Sequence, residues 1–314
     1  MKFLITGAAG FIGSHTAQRI KLLGHEVIGV DNFSTYYDLD LKKRNSESLK
    51  KDSIPIITCD LRHKEQIEQL LPNDFDYIIH FAAHPGISNT SSFEDYFSNN
   101  IIATKNLLDF AEICTKKPYI INIATSSIYG SEATLTEREA PKPTSFYGVT
   151  KLAAEQLVLA KVRLGELKGC SFRLYSVYGP RERPDKLYTR LIACGLKNIP
   201  FTLYEGSLVH LRSFTYVGDI VDGIVSVLGK ESLCNGEVIN LGTEEEHSTQ
   251  EGIKVVEKLL GKSIQIKIVA KRKGDQLRTK ANIEKAQKLL NYKPNTSLEE
   301  GIKQQIMWYK EAFL

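Results

Sequence analysis

The sequence has few of the features that mark secreted, membrane-spanning or nucleic-acid-binding proteins. Its five cysteines are odd in number and form no C-x-x-C pair, so we expect free thiols in a reducing cytoplasm. No apolar run approaches the roughly 18 residues of a membrane span, and Met1 and Lys2 lead straight into an apolar segment, so we also expect no membrane association and no signal peptide. The net charge is only +4, and the basic residues are dispersed, which argues against binding to nucleic acid.

The seven histidines show no metal-ligand spacing, so no metal ion is expected. What the chain does have is enough length for one large hydrophobic core or two modest ones. Its 314 residues are 42% hydrophobic and 25% charged, which is typical of a globular protein.

The N-terminal stretch predicts a strand, a glycine-rich turn and a helix, in that order. Gly7, Gly10 and Gly13 follow four mostly apolar residues with the spacing G-x-x-G-x-x-G, and a helix is predicted over 16–23. Such glycines let the backbone approach a pyrophosphate, which the helix N-terminus then binds. A second apolar strand over 26–30 leads to Asp31, at roughly the spacing of about 20 residues expected for a ribose-binding acid. The alternative is a structural turn without a ligand.

The pattern that follows predicts an α/β protein with a Rossmann-type doubly wound parallel sheet. Apolar strands predicted over 54–58, 77–81, 119–124 and 169–176 alternate with helical segments. Beyond residue 174 the pattern loosens, which indicates a smaller, discontinuous C-terminal substrate domain. We predict that residues 1–174, with 213–234 returning to them, form the cofactor-binding domain, and that 175–212 and 235–314 form the substrate domain.

Two further features point to a reaction. Tyr147 and Lys151 lie four residues apart on a predicted helix and therefore share one face. A phenol titrates near pH 10, so the ammonium, together with the positive nicotinamide ring of NAD⁺, would bring its pKa toward the working range. Thr125 follows a predicted strand, where its hydroxyl can bond both phenol and substrate. Each pattern alone also fits a solvated helix face or a polar turn, but together they predict proton transfer.

These motifs together resemble the extended short-chain dehydrogenase/reductase family. The resemblance covers essentially the whole chain and is carried by the glycine loop and by segments 31–32, 60–61, 81–83, 125–130, 147–151, 177–180 and 212–216. It implies a Rossmann domain that holds NAD, a C-terminal nucleotide-sugar domain and a homodimer built on paired helices. The residues that it would place at NAD are Gly7, Gly10, Phe11, Ile12, Gly13, Asp31, Asn32, Asp60, Leu61, Phe81, Ala82, Ala83, Tyr147 and Lys151.

The resemblance also implies roles for the reactive groups. Thr125 would be the catalytic hydroxyl, Tyr147 the base and Lys151 the cation that anchors the cofactor. Asp31 and Asn32 would hold the adenosine ribose, with Asp60 and Leu61 beside the adenine. An acid at position 31 also disfavours the 2′-phosphate of NADP.

Finer residues favour one activity within the family. Members that dehydrate or decarboxylate a 4-keto sugar usually carry Asp or Glu just after the catalytic threonine, whereas this chain has Ser126 and Ser127, which favours 4-epimerisation. Segments 31–42 and 178–185 resemble UDP-glucuronate 4-epimerases, in which the arginine before Pro-Asp meets the sugar carboxylate. That arginine is Arg183 here, and a solvated surface charge is its alternative. The substrate residues implied are Ser126, Ser127, Ser176, Arg183, Arg212 and Arg278.

The expected reaction is interconversion of UDP-glucuronate and UDP-galacturonate through a transient 4-keto sugar, with NAD recycled. Three alternatives remain open from the sequence. They are a 4-epimerase of UDP-glucose or UDP-N-acetylglucosamine, a 4-keto-sugar reductase, and a non-catalytic NAD-binding regulator.

Overall fold

The computed structural model describes residues 1–88, 90–270 and 278–314. Within those ranges, no helix combines the length and the apolar character needed to cross a membrane. The strands are β1 (Lys2–Thr6), β2 (Glu26–Asp31), β3 (Ile56–Thr58), β4 (Tyr77–His80), β5 (Tyr119–Thr125), β6 (Glu132–Ala133), β7 (Lys168–Leu174), β8 (Ser176–Tyr178), β9 (Phe201–Tyr204), β10 (Leu211–Arg212), β11 (Phe214–Tyr216), β12 (Val238–Leu241), β13 (His247–Ser248), β14 (Ile266–Val269) and β15 (Arg278–Thr279).

The α-helices flank these strands. They are α1 (Phe11–Leu22), α2 (Leu39–Lys51), α3 (Lys64–Leu70), α4 (Phe93–Tyr96), α5 (Ala103–Ile113), α6 (Phe146–Arg163), α7 (Leu187–Lys197), α8 (Val217–Val225), α9 (Glu231–Cys234), α10 (Thr249–Leu260), α11 (Glu284–Leu290) and α12 (Leu298–Phe313). A π-helical segment, Phe97–Ile102, joins α4 to α5, and a short 3₁₀ turn, Ser126–Tyr129, follows β5.

Seven strands form one parallel sheet in the order β12-β7-β5-β4-β1-β2-β3. Its central strands β4 and β5 are buried at every residue because both faces are covered. On β1, Phe3 and Ile5 pack into one hydrophobic core while Leu4 packs into a second core on the opposite face, as the two-residue period of a strand requires. The predicted α/β class and doubly wound parallel sheet are confirmed.

The glycine turn brings α1 in earlier than the apolar pattern suggested. The helix begins at Phe11, whereas the sequence predicted a start at Thr16, because Gly10 is extended and forms the N-cap. Gly13 therefore lies inside the first turn of the helix. The N–H groups of that turn lie directly beyond the carboxyl end of β1.

The smaller part of the molecule has its own core, in which α7, α10 and α12 pack together around residues such as Tyr188, Val256 and Ile302. Short strands complete it: β13-β10-β15-β6 form a four-stranded sheet, and β8 pairs with β11 and β9 with β14. All five cysteines are free thiols, and four of them are buried.

Two strands cross the predicted partition of the chain. β12 falls in the segment assigned to the substrate domain, yet it pairs with β7 as the last strand of the large sheet, with Leu241 opposite Leu174. Conversely, β6 falls in the segment assigned to the cofactor domain but pairs with β15. These two pairings do not follow the predicted partition, because strand pairing is decided by distant partners rather than by the local apolar pattern. The domain boundaries themselves remain a prediction.

Candidate active site

The glycine loop is packed so closely that side chains do not fit. A Cβ on Gly13 would overlap the carbonyl oxygen of Gly7, and a Cβ on Gly7, whose φ is +69°, would lie 2.9 Å from the backbone nitrogen of Ala82. Gly10 caps α1 without any side-chain hydrogen bond, and the first turn of that helix contains no acidic residue. The helix N-terminus therefore faces the edge of the sheet with its N–H groups and positive dipole end, which fits the diphosphate of a dinucleotide.

Asp31, at the end of β2, ties this loop to the neighbouring strand. Its buried carboxylate accepts hydrogen bonds from the backbone N–H groups of Ala9 (3.1 Å) and Phe33 (2.9 Å), and the ammonium of Lys42 lies 3.4 Å away. The structure thus places Asp31 beside the glycine loop, as the sequence suggested. Its ribose contact remains a prediction, and Lys42 was not foreseen.

The predicted adenine side of the site is also assembled. The Asn32 amide donates to the Asp60 carboxylate at 3.3 Å. The Nε and Nη2 atoms of Arg62 donate to the same carboxylate at 3.0 and 2.6 Å. Burial alone would raise the pKa of Asp60, but the hydrogen bonds from Arg62 and Asn32 hold it below its ordinary value. Leu61 is buried beside them, so this carboxylate stays ionised and fixed.

A neutral histidine lies under the segment that follows β4. His80 is buried, with Nδ1 2.8 Å from the Thr6 hydroxyl and Nε2 2.9 Å from that of Thr104. Burial and the nearby Lys151 charge lower its pKa to about 3, so it carries no charge at neutral pH. Thr6 also accepts the backbone N–H of Ala82 at 3.2 Å, and this network holds the predicted cofactor residues Phe81, Ala82 and Ala83 against the glycine loop.

The structure brings the three predicted catalytic side chains together. β5 ends at Thr125, and the Thr125 hydroxyl lies near enough to the Tyr147 phenol on α6 to act on its pKa. Burial raises the pKa of Tyr147, while the Thr125 hydroxyl, the Arg183 charge and the backbone of Gly86 act against that rise. For the protein alone the net direction is upward, and the lowering predicted for this phenol with NAD⁺ bound remains a prediction.

Lys151, one turn further along α6, is only 3% exposed. Burial lowers its pKa to about 8, and the charge of Glu155 one turn below opposes that shift. Glu155 is itself paired with Arg173 through a buried bridge of 2.7 Å. Lys151 is therefore cationic at neutral pH and loses its charge in mildly alkaline solution.

The π-helical segment supplies a further contact to α6. Asn100, within it, accepts the backbone N–H of His84 at 2.7 Å and donates to the Thr150 hydroxyl at 3.0 Å. π-Helical turns often mark functional sites. Asn100 thus fixes α6 relative to the segment that follows β4.

The predicted serines lie around Thr125. Ser126 and Ser127 form the 3₁₀ turn, in which the Ser127 N–H donates to the Thr125 hydroxyl at 3.2 Å. On the neighbouring strand Leu174 is opposite Thr125, and Ser176 begins β8 two residues later. All three hydroxyls thus follow adjacent strands at one edge of the sheet.

Arg183 is buried, not a solvated surface charge, with 7% of the residue exposed. Its Nε and Nη2 atoms contact the Asp185 carboxylate at 3.0 and 2.9 Å, and its Nη1 atom contacts the Pro85 carbonyl at 3.2 Å. The Tyr36 ring lies 5.5 Å from the guanidinium carbon. The Arg183 charge also acts on Tyr147, so the residue predicted to select the substrate lies within electrostatic reach of the predicted base.

The other two predicted arginines lie elsewhere, on the adjacent strands β10 and β15 of the four-stranded sheet. Arg278 is exposed and is held by Glu246 through two contacts of 2.7 Å. Arg212 has Thr279 as its neighbour across the strand pair. Their predicted contact with a diphosphate remains a prediction.

Sequence reasoning missed several residues that shape this site, namely Tyr36, Lys42, Arg62, His80, Asn100 and Asp185. Two left a usable signal in the sequence. Asn100 is an amide within an amphipathic helical pattern, and Asp185 follows Arg183 by two residues, a spacing that allows an ion pair. The remaining contacts join residues that are distant in sequence or lie in loops, and the sequence pattern does not specify either.

Comparisons with known proteins show the family to which the chain belongs. The model of the NAD dependent epimerase/dehydratase family matches residues 3–242. The chain is 34% identical to an uncharacterised UDP-glucose epimerase, YtcB, of Bacillus subtilis, over 100% of this chain and 99% of the relative. It is 33% identical to UDP-glucuronate 4-epimerase 4 of Arabidopsis thaliana, over 98% of this chain and 74% of the relative.

Among solved structures, the fold matches UDP-glucuronic acid 4-epimerase from Bacillus cereus in complex with UDP-glucuronic acid and NAD. The TM-score is 0.91, the identity is 34%, and both chains are covered completely. The chain therefore belongs to the NAD dependent epimerase/dehydratase family.

Proposed function

We propose that the protein is an NAD-dependent 4-epimerase that interconverts UDP-glucuronate and UDP-galacturonate. The observation that carries the choice of sugar is that Arg183 is buried and that its charge acts on the Tyr147 phenol. A planar guanidinium pairs with a carboxylate through two parallel hydrogen bonds. A buried cation at the reacting end of the site favours a sugar acid over a sugar with a neutral C6 group.

The large sheet and its glycine loop would hold NAD, and the smaller part would hold the nucleotide end of the sugar. The loop that contains Gly7, Gly10 and Gly13 would bind the diphosphate. Asp31 would contact the ribose, and Lys151 would lie on the nicotinamide side. NAD, when bound, would supply a positive charge and take up the C4 hydride, which it would return to the opposite face of the sugar.

The protein's own part in the reaction is proton transfer and orientation. The Tyr147 phenolate would accept the proton of the 4-hydroxyl as the sugar is oxidised and would return it to the same oxygen when the 4-keto group is reduced, and the Thr125 hydroxyl would bridge the two oxygens. Because burial raises the pKa of this phenol, the positive charges of Lys151 and Arg183 are needed to stabilise the phenolate.

With a uronic acid as substrate, the site must also prevent loss of the carboxylate as CO₂. Oxidation at C4 yields a β-keto acid, which can lose CO₂. Arg183 would hold the carboxylate in one plane with paired hydrogen bonds, and this restraint opposes the rotation that CO₂ loss requires.

The test is to incubate purified protein with UDP-glucuronate without added reductant and to identify the sugar product by NMR. Formation of UDP-galacturonate supports the proposal. Turnover of only UDP-glucose or UDP-N-acetylglucosamine would keep the base assignment and reject the carboxylate site. Net consumption of NADH would indicate a reductase, and bound NAD without any turnover would indicate a regulator.

We also propose a homodimer. Phe93, Phe97, Phe146 and Val149 expose between 36% and 55% of their surface on α4, the π-helical segment and α6. The Phe93 ring lies 6.0 Å from that of Phe97 and 5.3 Å from that of Phe146, so they form one aromatic patch of the kind that marks protein contacts. Phe93→Asp should convert a dimer to a monomer in light scattering, and a monomeric native protein would reject the proposal.

A further inference from the structure

The guanidinium of Arg183 is fixed from several sides. The Tyr36 ring lies over it, the Pro85 carbonyl accepts from Nη1, and Gly86 passes so near that a Cβ there would lie 3.2 Å from Nη2. Its position is therefore set by the protein, independently of any substrate. A cation that is buried and fixed in this way is costly unless an opposite charge is paired with it.

Asp185 is the paired charge that the structure provides. Both of its carboxylate oxygens contact Arg183, at 3.0 Å on Nε and 2.9 Å on Nη2. The two partners differ in exposure, since 9% of the Arg183 side chain but 56% of the Asp185 side chain is accessible to solvent. Asp185 can thus turn toward water when another carboxylate pairs with Arg183, whereas the buried Arg183 cannot.

The contacts leave donors for a substrate. A guanidinium carries five N–H groups, and the described contacts use one on each of its three nitrogens. One N–H remains on Nη1 and one on Nη2. A sugar carboxylate can bind these donors beside Asp185 or replace Asp185 on its own edge of the guanidinium.

We propose that Asp185 sets how strictly the site selects acidic sugars, by serving as a built-in carboxylate for Arg183 when the sugar has none. This inference rests on the proposed function. With Asp185 in place, a neutral UDP-hexose meets an arginine whose charge is already balanced. Without the Asp185 charge, binding of a neutral sugar would bury Arg183 with no opposite charge beside it. An acidic sugar would no longer compete with the Asp185 carboxylate for Arg183.

Asp185→Asn tests this directly, because the amide has the same shape and no charge. We expect the ratio of kcat/KM for UDP-glucuronate to that for UDP-glucose to rise about tenfold or more, since burial of an unpaired charge is penalised more strongly than loss of one neutral contact. If wild-type turnover of UDP-glucose is too slow to follow, its inhibition constant against UDP-glucuronate replaces its kcat/KM in the ratio.

Two further variants separate this role from a structural one. Glu182→Gln removes a carboxylate from the same turn whose side chain faces Thr189 and Gln305, and it should leave the ratio unchanged. In an Arg183→Gln background, Asp185→Asn should no longer shift the ratio, because the two side chains act as a pair.

Equal losses on both sugars in Asp185→Asn, or a shift toward UDP-glucose, would overturn the inference, as would a wild-type protein that UDP-glucose does not bind. Wild-type protein that binds UDP-glucuronate without converting it would instead reject the proposed function. The two failures are therefore distinguishable.

Discussion

The cofactor end and the sugar end of the candidate site are built in different ways. At the cofactor end, the predicted ligand contacts come mainly from the backbone, because Gly7 and Gly13 leave no room for a Cβ and the N-terminus of α1 has no side-chain cap. At the sugar end, the predicted contacts come from charged side chains, with Arg183 held by Asp185. A backbone site resists any substitution, whereas a charge pair can be retuned by changing one partner.

The largest effect is expected from Tyr147→Phe, which changes the proposed base between the cofactor end and the sugar end. The variant keeps the ring and loses the hydroxyl that is the proposed base, so turnover should fall by roughly 10²-fold to 10⁴-fold, while bound NAD should remain. Product NMR and the NAD content of the purified protein measure both. Tyr309→Phe, which removes a hydroxyl from the core of the smaller part, should remain active, and an active Tyr147→Phe would reject the base.

Gly13→Ala tests whether the cofactor end requires a glycine backbone without a side chain. The new methyl group would overlap the Gly7 carbonyl, and the strain should cost about 1–3 kcal/mol and sharply reduce the NAD that copurifies. Gly24→Ala is the matched control. Gly24 has φ of +84° with open space around it, so this change should lower the melting temperature without loss of NAD. Normal NAD content in Gly13→Ala would contradict the account of the loop.

Arg183→Lys tests whether the sugar end depends on the geometry of the guanidinium as well as on its charge. The charge is kept but the two-pronged geometry is lost, so kcat/KM for UDP-glucuronate should fall by about tenfold, or roughly 1.4 kcal/mol. Arg181→Lys is a control on the same turn, since its guanidinium contacts Ser48. Equal effects of both variants would show that Arg183 has no special relation to the substrate.

A change in stability with pH, separate from any effect on turnover, is expected from Glu182, which is buried and accepts hydrogen bonds from Thr189 and Gln305. Burial raises its pKa to about 7 from an ordinary value of 4.5. The folded protein therefore holds this proton more tightly than the unfolded chain between these pH values. Its contribution to stability is largest below pH 4.5 and is lost as the pH rises toward 7, by on the order of 3 kcal/mol.

Melting temperatures of wild type and Glu182→Gln between pH 4.5 and 8 measure this contribution. The fall with rising pH should be shallower in Glu182→Gln, because the amide does not titrate. Glu299→Gln, which changes a half-exposed carboxylate on α12, should keep the wild-type slope. Identical slopes in wild type and Glu182→Gln would contradict the raised pKa.

The difference between the two ends also explains what the sequence could predict. The strand, glycines and helix of the cofactor end are local and were predicted, although the apolar pattern missed the first turn of α1. At the sugar end, the sequence singled out Arg183 but could not decide between a solvated and a buried charge, because burial depends on Tyr36 and Pro85 from distant loops. The placement of β12 failed for the same reason, since its partner is β7.

The crossing of β6 and β12 between the two parts has a consequence for how the protein can be divided. A fragment ending at residue 174 would lack the last strand of its own sheet and would expose β7 as an unprotected edge, which invites aggregation. A fragment beginning at 175 would lack β6 from its four-stranded sheet. The chain is therefore not a pair of exchangeable modules, and neither half should be recoverable as a folded piece after recombination or proteolysis.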